Sequence, residues 1–143
     1  MIDSSRGARW DVVTCVAAVG IVVIGFTAQL GPFQWAHFFF NGVPHAAWIA
    51  VIRWLCPSRP IVAGVALGVL GTYAACAHVQ FPPSENSGLA MVLLLLLTTP
   101  GMLLGTLVAC LARRRVADQR AVVQCLLAAG AVIAPAFLVA FTA

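Results

Sequence analysis

Charge is what this chain has least of. Charged residues make up 8% of it and hydrophobic residues 62%, where an ordinary soluble domain carries about 25% charge. A water-soluble fold cannot cover its surface from that supply. The shortage leaves room for no soluble domain anywhere in the chain. Lysine is missing altogether: all 8 basic residues are arginine. In a soluble protein the net charge of +4 would hint at nucleic acid. Here the arginines lie between apolar runs and act as markers of topology instead, so no nucleic-acid partner is expected.

Catalytic side chains are equally scarce where they would matter. The acidic residues are Asp3, Asp11, Glu85 and Asp118, and the serines are Ser4, Ser5, Ser58, Ser84 and Ser87, all terminal or between apolar runs. An intramembrane protease needs a serine or paired carboxylates inside the bundle, and proton-coupled transport relies on a membrane carboxylate. The sequence therefore leans away from an enzyme. The five cysteines include no CxxC pair, which argues against thiolate metal binding and a redox relay. Small buried residues are the expected role for Cys15, Cys56, Cys76, Cys110 and Cys125.

What the chain does have is long apolar runs recurring along its length, with a mean hydropathy of +1.02. They predict an all-α, polytopic integral membrane helix bundle forming a single domain over 1–143. The expected spans are 10–30, 35–56, 61–81, 89–112 and 121–143. Arg6 and Arg9 precede the first run as in a secretory signal, but the run exceeds the usual 7–15 residues, so it reads as a retained span. Proline and glycine punctuate the rest: Gly31 and Pro32 after the first span, Pro57 and Pro60 before the third, Pro82 and Pro83 after it. Pro100 and Pro135 mark expected kinks in the last two.

Residues 31–60 decide the topology. If they cross, the spans number five, the N-terminus is cytoplasmic and the C-terminus periplasmic. All the arginines then face the cytoplasm, as the positive-inside rule favours. If they do not cross, the alternative is four spans plus a re-entrant or interfacial segment. Gly42, Val43 and Pro44 interrupt the stretch, so a crossing is expected to be a broken helix. The helix after Pro44 covers only about 20 Å of a core about 30 Å thick, so it needs a preceding half-helix through Trp35.

Several side-chain patterns stand out within this frame. His37, Asn41 and His45 recur every fourth residue and form one polar stripe about 80° wide on a continuous helix. That stripe either packs inward around the broken backbone or marks a ligand or proton site. His37 and His78 fall near the same membrane depth on successive antiparallel spans, which suggests a haem or metal site with Glu85 or Cys76 in reach. Gly64, Gly68 and Gly71 give the third span a small-residue face, and Gly101 and Gly105 repeat the idea in the fourth. Arg113, Arg114, Arg115 and Arg120 form a cytoplasmic basic loop, a topogenic signal that also suits anionic lipid.

The expectation is a small bacterial inner-membrane protein, an origin suggested by compactness and arginine-only basicity. Its expected role is that of a non-enzymatic accessory, assembly or immunity-type subunit. It would work through helix contacts within the lipid bilayer, as a homo-oligomer or in a larger membrane complex. The alternatives are a haem- or metal-binding membrane protein using His37 and His78, and a small oligomeric transporter or channel lined by Asn41 and His45.

Overall fold

Apolar runs bounded by proline, glycine and arginine become helices. The computed structural model describes residues 4–27, 34–78 and 87–142. In order they form α1 (Ser4–Thr27), α2 (Gln34–His37), a π-helical turn (Phe38–Gly42), α3 (Val43–Leu55), α4 (Arg59–His78), α5 (Ser87–Ala112) and α6 (Ala121–Thr142). No strand occurs among these residues. Four helices are long and apolar enough to cross a membrane, over Gly7–Thr27, Arg59–Cys76, Val92–Ala112 and Ala121–Leu138. Pro100 and Pro135 lie inside α5 and α6 without ending them.

The stretch expected to form the second span differs in kind from the others. Residues 34–55 are helical throughout, but as α2, the π turn and α3 in succession. The interruption expected around Gly42 to Pro44 is therefore a widening and not an unwinding, with Gly42 at φ −60° and ψ −58°. Proline explains the form it takes. Pro44 has no N–H to donate, and in a regular α-helix its ring would collide with the carbonyl four residues earlier, on Phe40. A π turn opens the spiral just before it.

The course of this stretch is fixed at both ends. Phe26, late in α1, meets Trp35 and Phe38 edge-to-face at centroid distances of 5.7 and 5.8 Å. At the other end Arg53 Nε donates to Asp11 Oδ1 at 2.9 Å, and Arg59 Nη1 lies 3.1 Å from Asp11 Oδ2. Residues 34–55 thus run back along α1, from its last described turn to near its first. Asp11 gathers the start of α1, the end of α3 and the start of α4 at one end of the bundle.

The middle of the bundle is α4. Of its Arg59–Cys76 stretch 61% is buried, against 22% for Gly7–Thr27 in α1. Val62, Val65, Val69 and Tyr73 fill the core from α4, meeting Ile21 of α1, Ile49 of α3, Leu95 and Met102 of α5 and Val132 of α6. Most of the large side chains left outside are aliphatic or aromatic. α6 packs chiefly on α5 and α4, and α4 also packs on α1.

Glycine permits the close approach of α6. A methyl group added to Gly68 would lie 2.9 Å from the Ala129 carbonyl oxygen, and one on Gly105 would lie 2.7 Å from Val132 Cα. Gly64 faces Cys125 and Ala128, Gly101 faces Pro135 and Ala136, and Gly71 lies in ordinary contact with Ile133. Both glycine faces are thus occupied by α6 of the same chain, as small residues in membrane helices allow.

Candidate functional site: a polar cluster at the π-helical turn

Where the chain widens into the π turn, it also buries two polar side chains, Asn41 and His45. Asn41 is 0% and His45 4% exposed. His45 Nδ1 lies 2.6 Å from the Asn41 carbonyl oxygen and 2.7 Å from Tyr73 Oη. A carbonyl only accepts, so Nδ1 carries the proton and shares it between the two oxygens. The rings of His45 and Tyr73 meet edge-on, with centroids 5.2 Å apart at 74°. On the far side Thr99 Oγ1 is 3.2 Å from His45 Nε2. One imidazole therefore ties α3 to α4 and to α5.

Thr99 gives the cluster an adjustable member. Its hydroxyl proton has two acceptors within reach, His45 Nε2 and the Leu95 carbonyl oxygen at 2.9 Å. With a neutral ring, Thr99 donates to Nε2. With a proton on Nε2, the hydroxyl accepts it and turns its own proton to Leu95. Either ring state leaves both nitrogens partnered. Thr98 also donates to the Leu95 carbonyl, at 2.8 Å. The carbonyl that Pro100 deprives of its usual donor is that of Leu96, so the two threonines serve the carbonyl next to it.

One group in this cluster is left over. Both polar atoms of the Asn41 side chain, Oδ1 and Nδ2, are buried without a hydrogen-bond partner, and so is the indole nitrogen of Trp48 one turn beyond His45. A buried unpaired amide costs about 1–3 kcal/mol per group. The remaining buried hydroxyls are satisfied locally: Thr14 donates to Trp10 O, Thr72 to Gly68 O and Thr106 to Met102 O.

Of the histidines singled out in the sequence, His45 lies in this cluster, while the side chains of His37 and His78 lie outside the described residues, as does Glu85. No group of three histidine, cysteine, aspartate or glutamate side chains placed to hold a metal occurs among the described residues. The cysteines are all free, and Cys15 is exposed where a buried position was expected. Arg114, Arg115 and Arg120 are exposed in the connection between α5 and α6, while Arg113 is partly covered. Gln124 organises that connection, donating to the Ala117 and Gln119 carbonyls and accepting from Ser58 at 3.4 Å.

Sequence reasoning missed three members of this architecture: Tyr73, Asp11 and Gln124. Tyr73 had a legible signal, being the single tyrosine of the chain in the middle of an otherwise apolar span, where a phenol hydroxyl must find a partner. Comparison with protein families, with curated proteins and with solved structures returns no match.

Proposed function

We propose that this chain is a five-span protein of a bacterial inner membrane that works without catalysis, as an accessory, assembly or immunity-type subunit. It acts through helix contacts with a second copy or with a larger membrane partner. The N-terminus is cytoplasmic and the C-terminus periplasmic.

The path of residues 34–55 along α1 supports a fifth crossing. Trp35 and Trp54 lie at its two ends and are 57% and 85% exposed. A rise of about 1.5 Å per residue separates them by roughly 28 Å, close to the ~30 Å core and suited to an aromatic belt at each interface. Arg53 and Arg59 meet at Asp11, Arg113 and Arg114 line a cleft with Ser58, and Arg9 lines one with Ala121. Such a gathering of arginines at one end favours that end as cytoplasmic.

The observation that carries the non-enzymatic reading is the saturation of His45, whose two ring nitrogens are engaged by groups on the π turn, α4 and α5. An imidazole used this way holds helices in register. The decisive experiment is purification of the intact chain from its membrane in mild detergent, with mass analysis and an absorption spectrum. A stoichiometric membrane partner or a homo-oligomer is the expected result. A monomer with a Soret band or stoichiometric metal overturns this reading in favour of ligation by His37 and His78. Reporter fusions at the two termini test the orientation independently.

A further inference from the structure

Beside the polar cluster the bundle is open. α3 packs on α1 and α4, and the π turn reaches α5. One turn beyond the His45–Thr99 tie the two helices leave a groove of about 660 Å³ between them. One wall is Trp48, Ile52, Leu55 and Cys56; the other includes Leu103, Leu107 and Cys110, and Arg113 closes the end. The lining is apolar apart from that arginine and Thr106, whose hydroxyl donates to the Met102 carbonyl. Leu55 is 62% and Leu107 56% exposed, so the groove faces outward along its length.

Its dimensions and ends identify an occupant. Residues 103–113 of the α5 wall extend roughly 15 Å, half of a hydrocarbon core about 30 Å thick. The groove is about one leaflet deep, from the arginine end to one turn short of His45. Arg113 also lines a second cleft of about 370 Å³, shared with Ser58, Arg114 and Gln124. No carboxylate among the described residues pairs with Arg113 or Arg114. An apolar slot thus opens at one shared residue into a cationic, hydrogen-bonding mouth.

We infer that the α3–α5 groove binds an anionic phospholipid, its acyl chain along Trp48, Ile52 and Leu107 and its phosphate at Arg113 and Arg114. A zwitterionic lipid offers the same chain without the net charge. The mouth discriminates between them, because a basic residue near an anionic group favours it about fivefold. The inference rests on α3 lying within the membrane. The terminal fusions and lipid selectivity are read separately, so a crossing α3 without selectivity overturns this inference alone.

Trp48 is a built-in reporter. A variant carrying W10F, W35F and W54F keeps it as the single tryptophan, in phosphatidylcholine nanodiscs with increasing brominated-acyl phosphatidylglycerol. Quenching is expected to saturate well below the mole fraction that random occupancy requires. Brominated phosphatidylcholine should quench only in proportion to its abundance, and Arg113→Gln should weaken the preference about fivefold. Equal quenching by both lipids overturns the site. Quenching by neither means that protein covers the groove, and overturns it too. Native mass spectrometry of the unaltered chain supplies the same comparison if the tryptophan variants fold poorly: retained phosphatidylglycerol supports the site, and retention of both lipids alike removes it.

Discussion

Tyr73 Oη and His45 Nδ1 lie 2.7 Å apart although 28 positions separate them in the chain. The bond joins the central helix α4 to α3, just beyond the π turn. Hydrogen bonds between membrane helices average about 0.6 kcal/mol and reach about 1.7. Tyr73→Phe is expected to cost an amount in that range, measured as a shift in unfolding by denaturing detergent. His45→Phe should cost more, since Asn41, Tyr73 and Thr99 lose a common partner. The double variant should fall short of the sum; full additivity would mean that the two side chains do not act together.

Asn41 makes the opposite prediction. Its amide is buried and unpaired, so replacing it with an apolar side chain of similar size removes a cost. Asn41→Leu should raise stability by about 1 kcal/mol. Destabilisation of that size would show that the amide has a partner in the membrane. If binding to a partner protein disappears while stability rises, the amide is kept for that partner.

The glycines differ in what surrounds them. Gly105 faces the backbone of α6, whereas nothing lies within 4 Å of a methyl group placed on Gly130. Gly105→Val should destabilise the bundle by about 1–3 kcal/mol through overpacking, and Gly130→Ala should stay within about 0.5 kcal/mol. Thermal unfolding in one detergent separates them. Equal tolerance at both sites would contradict the close packing of α5 on α6.

Asp11 binds two arginines with side chains that are each about one-third or more exposed. Exposed ion pairs contribute about 0.2–1 kcal/mol each and weaken with salt. Asp11→Asn should therefore cost about 1 kcal/mol at low ionic strength and less in concentrated salt. The exchange D11R with R53D should recover part of the loss. A cost independent of salt would assign Asp11 a role other than pairing.

How much of this was legible depends on the range of each interaction. Apolar runs and proline punctuation marked out the four long helices α1, α4, α5 and α6, because helix formation in lipid follows local composition. The π turn was visible as an interruption but not in form, since Pro44 excludes a regular α-helix without saying whether the chain unwinds or widens. The His37, Asn41 and His45 spacing drew attention to the stretch that carries Asn41 and His45, both buried. It could not supply Tyr73 and Thr99, because a sequence of spans does not say which faces meet. Gly64 and Gly105 announced close contacts, yet only the assembled bundle names α6 as the neighbour of both.

That shared neighbour sets a timetable for biogenesis. α6 emerges from the ribosome after both of the surfaces it seals, and roughly 60 residues separate Gly64 from Cys125. At synthesis rates of about 5–20 residues per second, the small-residue face of α4 stays open for roughly 3–12 s. During that interval any helix in the membrane with a matching surface competes for it. Release of the chain before α6 leaves two such faces exposed at once, so the truncated product should capture neighbours where the whole protein does not.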